Sequence, residues 1–264
     1  MRSRLSLVGM VLSLATAGAC ADGHYVNVPA GAFRSAIALD DSAAGAVVVP
    51  SFRMRTKPVT NAEFLAFVRR EPDWRRDRLA VVFAGPGYLS HWSGPLSLGP
   101  DAGAAQPVTR VSWFAARAYC ASEGGRLPNW IEWESVAAAD ATRRDARRDA
   151  ARQQHLLAQL TSTFGAAPMT VADRAPNVLG LHDLHALLAE WVGDYAALFV
   201  DDDARSPNGA AQLRFCGGTA LAFIDRTDYA LMMRVAALAA LSPADSSTGV
   251  GFRCVRDNPD RGKS

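Results

Sequence analysis

The sequence predicts a single α+β domain. Three observations carry that expectation: three helix starts marked by capping residues, short alternating apolar runs towards both ends, and no long repeat or low-complexity linker within the 264 residues. With 49% hydrophobic residues the chain is long enough for one large core or two modest ones, and the missing linker favours one. The formal charge is +2, and Arg2 and Arg4 supply two of the positive charges. Without that end the chain is about neutral, which argues against nucleic acid as a partner, since phosphate binding needs a clustered positive surface.

The first stretch, MRSRLSLVGMVLSLATAGACA, runs from an arginine-bearing start through an apolar segment to small residues at Ala17, Ala19 and Ala21. It reads as a secretory signal peptide over residues 1–21, with a buried N-terminal helix as the other reading. The apolar segment is too short to span a bilayer, so no transmembrane segment is expected in the mature chain. TAGAC also resembles a bacterial lipoprotein box with Cys20 as the lipidated residue, although Ala17 stands where a leucine is usual. Export places the chain in an oxidising compartment, where disulfides persist.

HYVNVPAGAF alternates apolar positions around a Pro-Ala-Gly turn and predicts a strand and hairpin; VVVPSFRM predicts another strand. In PVTNAEFLAFVRR, Thr60 and Glu63 form a T-x-x-E capping box, and Phe64, Phe67 and Val68 share a face, so a helix is expected over 61–70. Ser112 caps a second helix in which Trp113, Ala116, Tyr119 and Cys120 share a face, stopped by Gly124 and Gly125. Asn129 and Glu132 open a third. Residues 140–160, DATRRDARRDAARQQHLLAQL, carry Arg and Asp at spacings that support a solvated helix, read either as a docking face or as an exposed insertion. The last third alternates short apolar runs with Gly and Ser turns, which predicts strands and loops, with VGFRCV as a terminal strand.

Taken in order, VNVPAGAF, KPVTNAEFLAFV, PVTRVSWFAARAYCASEGGRLPNWIEWE, NVLGLHDLHALLAEWVGD, CGGTAL and DSSTGVGFRC resemble the formylglycine-generating enzyme, or sulfatase-modifying factor, family. The resemblance implies one domain over residues 22–256, related to the C-type lectin fold, with a polar tail at 257–264. It also implies a disulfide between Cys120 and Cys254, which would stabilise the fold by roughly 3–5 kcal/mol on the chain-entropy model. For 178–194 the two readings differ. Apolar positions 178, 181, 184, 188 and 191 suggest an amphipathic helix, whereas the family order, which has the better claim, implies a turn followed by a strand.

The departures from the family bear on chemistry. Members that convert a substrate cysteine to formylglycine hold copper(I) with two cysteines shortly after a Gly-Gly-Ser segment, soft thiolates suiting a soft ion. Here that segment is GGTALAFIDRTDYALMMRVAALAAL, which contains no cysteine and has Thr219 in place of the serine. Neither copper nor formylglycine-generating activity is expected. Ala186 and Leu187 replace the Gly-Asn that precedes Val-x-Glu-Trp in members, which puts calcium in doubt and leaves Glu190 and Asp194 as candidate ligands or as salt-bridged and capping groups. His182 and His185 are spaced to share a metal on a helix, or to pack and hydrogen bond in a turn.

Cys216 is the odd thiol, read as a buried small residue by default and otherwise as a metal ligand or mixed-disulfide site. Cys216, Thr219 and Arg234 are the candidate catalytic residues. Trp113, Trp130 and Trp133 read as core rather than pocket. The expectation is an exported, periplasmic pseudoenzyme that serves as an accessory, maturation or binding factor for a protein or peptide partner, such as a periplasmic redox enzyme. The alternative is a metal-dependent oxidoreductase acting on a thiol, peptide or siderophore precursor, as in the pyoverdine-maturing branch.

Overall fold

The computed structural model describes residues 24–37, 45–163, 170–185, 188–195 and 228–259. Strand β1, Tyr25–Val28, buries its two end residues and pairs antiparallel with β4, Phe52–Arg55, in the register Tyr25↔Arg55 to Val28↔Phe52. β4 also pairs with β7, Val255–Asp257, so opposite ends of the chain meet in one sheet of order β1-β4-β7. Strand β2, Gly31–Phe33, pairs instead with β3, Val47–Val49. The hairpin expected around Pro-Ala-Gly is therefore corrected to two strands in different sheets. VVVPSFRM likewise divides at Pro50, which has no N–H to donate to a ladder and separates β3 from β4.

The three capped helices form as their end residues dictate. Helix α1, Asn61–Arg70, has both arms of the Thr60–Glu63 box and buries Phe64, Phe67 and Val68. Helix α2, Trp113–Ser122, begins where the Ser112 hydroxyl accepts from the Ala115 N–H, and helix α3, Trp130–Ala137, begins at the Asn129–Glu132 box. Gly124 ends the α2 segment at φ +71, and Gly125 is required by a close approach, since a Cβ there would lie 2.5 Å from the Val255 carbonyl oxygen.

The helix expected from residue 140 begins only at Ala150, as α4, Ala150–Thr163. Aspartates cause the delay. Asp140 accepts from the Thr142 and Arg143 amides and Asp145 from that of Arg147, which hold 140–149 in turns, while Asp149 accepts from the Arg152 amide and acts as the N-cap.

Within 178–194 the turn-then-strand order holds and the helical period does not: β5, Ala189–Glu190, runs parallel to β6, Val250–Gly251. Helix α5, Tyr229–Ala239, corrects the expectation of strands and loops in the last third. Its run of Ala, Leu and Met favours helix, and the Asp228 carboxylate caps it through the Leu231 amide at 3.0 Å. VGFRCV is two short strands, β6 and β7, interrupted at 252–254.

The core is aromatic: Trp130, Trp133, Trp191, Tyr195, Phe52, Phe64, Phe67 and Phe252 are fully buried, while Trp113 is only partly so. A Cys120–Cys254 disulfide, with Cα atoms 5.4 Å apart, ties α2 to the segment between β6 and β7. Among the described residues no helix is long and apolar enough to cross a membrane.

Candidate functional site

The β5–β6 pairing carries Glu190 into the interior, where its carboxylate takes three hydrogen bonds. Arg253 donates from Nε and Nη2, both at 2.8 Å, and the Trp133 indole N–H donates at 2.9 Å. Both members of the ion pair are 0% exposed. Arg253 reaches further, donating to the His182 carbonyl at 2.9 Å, so that one guanidinium joins β5 to the turn before it.

The ring of Trp133 also meets Arg234 of α5, whose guanidinium carbon lies 3.9 Å from the ring centroid. Arg234 donates from Nη2 to the carbonyls of Leu184 and Leu188, at 2.7 and 2.5 Å, while its Nη1 is buried without a hydrogen-bond partner. Burial pushes this guanidinium down to about 10, with Glu190 pulling up and Arg253 pressing down, so it remains charged at neutral pH.

His185 packs edge-on against Trp133, ring centroids 5.9 Å apart. Its Nε2–H donates to the Ala137 carbonyl at 2.7 Å, and Arg152 donates to the same oxygen at 2.6 Å. Burial, then the charges of Arg152 and Arg234, push the imidazole down to about 3 and keep it neutral. His182 is engaged elsewhere, its Nδ1 on the Arg174 carbonyl at 2.8 Å. Each ring is thus tied to a different carbonyl rather than to a shared point. Asp183, between them, has a left-handed backbone (φ 61), accepts from the Ala172 amide, and leaves Oδ1 buried without a partner. Asp194 accepts from the Trp130 amide at 2.9 and 3.1 Å, at the first turn of α3.

The structure therefore groups Glu190, His185 and Arg234 around Trp133 and sets His182 and Asp194 apart on backbone groups. Among the described residues no three His, Cys, Asp or Glu side chains gather as a metal would require. Cys20, Cys216, Thr219, Ala186 and Leu187 lie outside the described residues. The copper donor set can still be weighed by chemistry: the disulfide occupies Cys120 and Cys254, and the sequence has no cysteine between Cys216 and Cys254. The thiols downstream of Gly217–Gly218 that would hold copper(I) are missing, and these residues do not fit that ion.

Two residues of this network escaped the sequence reading. Arg253 carried a signal, a cation inside an otherwise apolar GFRCV run. Glu134, 1% exposed, accepts from the Ala36 amide at 2.7 Å, the Trp130 indole N–H at 2.8 Å and the Ser35 hydroxyl. A second acid on a helix face bearing two tryptophans was its trace in the sequence.

A family model described as a sulfatase-modifying factor enzyme 1-like domain matches residues 15–258. The chain belongs to the sulfatase-modifying factor family. Within that family, the formylglycine-generating enzyme of Streptomyces coelicolor is 28% identical over 283 residues, covering 88% of each chain. The hercynine oxygenase of Mycolicibacterium thermoresistibile is 32% identical over 174 residues, covering 58% of this chain and 38% of that enzyme. The solved structure of PvdO from Pseudomonas aeruginosa aligns over 89% of this chain and 94% of its own at 16% identity, with a TM-score of 0.47.

Proposed function

We propose that this protein is an exported, non-oxidase member of the sulfatase-modifying factor family that acts as an accessory, maturation or binding factor for a periplasmic protein or peptide, such as a redox enzyme. One observation carries the reading: of four cysteines two are joined in the Cys120–Cys254 disulfide and Cys20 lies in the leader-like stretch, which leaves Cys216 alone where a copper(I) site needs a thiolate pair. The disulfide also accords with an oxidising compartment.

The test is direct. Purified full chain is incubated with copper(I), oxygen and a C-x-P-x-R peptide, and the peptide is weighed by mass spectrometry. The expected result is an unchanged thiol; aldehyde on the peptide would overturn the proposal. A pull-down from periplasmic extract that yields nothing above background counts against the accessory role.

The second reading, a metal-dependent oxidoreductase acting on a thiol, peptide or siderophore precursor, draws on the 32% identity to a hercynine oxygenase. A stoichiometric redox metal in protein purified without chelators, together with oxygen consumption, would favour it.

A further inference from the structure

Away from the Trp133 network, a cavity of about 770 Å³ lies between β2 and the turns that precede α4. Its lining is of two kinds. Val28, Phe33, Val49 and Leu179 are apolar, and Arg34, Arg144, Arg147 and Arg148 are basic, with Asp145 as the one carboxylate among the lining residues.

That carboxylate is already engaged. Asp145 pairs with Arg147 at 2.8 Å, and Arg147 is further fixed by the Arg34 carbonyl at 2.8 Å, by Glu134 at 3.4 Å and by the Phe33 ring, 4.3 Å from its guanidinium carbon. The side chains of Arg34, Arg144 and Arg148 are exposed, and their guanidinium groups make no hydrogen bond or ion pair among the described residues. Three guanidinium groups without a partner among the described residues line one concavity and present planar forks suited to carboxylates.

The strand beside them is open. A Cβ added at Gly31 would meet nothing within 4 Å, and β2 pairs only with β3 among the described residues, so backbone remains for an added chain.

We infer that this cavity receives an acidic peptide segment, its carboxylates on Arg34, Arg144 and Arg148 and an apolar side chain against the partly exposed Leu179. The inference rests on the binding-factor reading and gives its partner a chemistry. Charge complementarity selects the carboxylates, and the apolar part of the lining and the open strand select a polypeptide over a bare anion.

The test uses the full chain and two fluorescent peptides of equal length, one alternating Glu and Leu, the other Lys and Leu, followed by anisotropy. The Glu–Leu peptide is expected to bind, to weaken as salt is raised, and to lose at least about tenfold in affinity in the Arg144→Glu, Arg148→Glu variant. Both residues are exposed and have no partner among the described residues, so the variant should melt with the parent; should it not, Arg34→Glu alone gives the same readout. Equal binding of the two peptides, unchanged affinity in the variants, or full displacement by inorganic phosphate at the peptide's own concentration would each overturn the inference. The two readings fail separately. An inert protein that ignores the acidic peptide removes this site and leaves the non-oxidase reading, whereas aldehyde formation with peptide binding intact does the reverse.

Discussion

Glu190 and Arg253 face each other edge-on through two 2.8 Å hydrogen bonds, both side chains wholly buried, with the Trp133 indole closing the remaining approach to one carboxylate oxygen. A pair so placed is costly to break rather than strongly stabilising in itself, because removing one charge strands the other without solvent. Glu190→Gln is therefore expected to lower unfolding free energy by about 3–5 kcal/mol, and the Glu190→Leu, Arg253→Met double variant to lose less than Glu190→Gln alone. Urea titration measures both. A loss under about 0.5 kcal/mol in Glu190→Gln would show that the pair is hydrated in solution.

The disulfide closes a separation of 134 residues between α2 and the chain's final strands. On the chain-entropy model a loop of that size constrains the unfolded state by about 5 kcal/mol. Replacing both Cys120 and Cys254 by Ser should shift the urea midpoint down accordingly, and adding a reductant to the parent protein should shift it in the same direction. Non-reducing peptide mapping provides the second check, since recovery of both residues as free thiols would contradict the pairing.

The parts legible in the sequence were those encoded locally. Thr60, Ser112 and Asn129 announce helices because a cap and its partner sit three residues apart, and nothing distant is needed to read them. Strand partners were not legible: VNVPAGAF looks like a hairpin, yet β1 pairs with β4, Phe52–Arg55, and both end residues of β1, Tyr25 and Val28, are buried, a pattern without the alternation that would have marked a partner. The α4 boundary was missed because Arg and Asp at helical spacing also suit aspartate-capped turns, which contacts such as that of Arg147 with the distant Arg34 carbonyl then hold in place. At the site, Glu190 was visible as an acid beside a tryptophan, but the cation it meets comes from the other end of the domain.

Acid sensitivity follows from the histidines. His185 is pushed down to about 3 and His91 to about 4, in each case first by burial and then by neighbouring arginines. A group whose folded pKa is depressed below its unfolded value of about 6.5 binds its proton in the unfolded chain first, so stability is present above that pH and is lost as pH falls towards the folded pKa. Glu134, Asp183 and Asp194, raised chiefly by burial, act oppositely and soften the loss as they protonate. Thermal melts from pH 7 to about 4 should therefore fall with acid, and His185→Gln should flatten that slope. An unchanged slope would place the acid sensitivity elsewhere.

Arg234 tests whether a charged residue next to the Trp133 network serves the fold or the partner. Its Nη2 donates to two carbonyls, Leu184 and Leu188, while its guanidinium carbon lies over the Trp133 ring, a combination that a lysine cannot reproduce because an ammonium has donors but no planar face and a shorter reach. Arg234→Lys should lose the guanidinium's contact with the Trp133 ring and loosen its hold on the two carbonyls, lowering stability by about 1–3 kcal/mol. It should also speed amide exchange along α5, which the residue ties to the segment before β5. The arginine cavity is lined by other residues, so binding of the Glu–Leu peptide should be unchanged in this variant. Loss of peptide affinity with stability intact would instead make Arg234 part of the recognition surface and move the partner site to the Trp133 side of the domain.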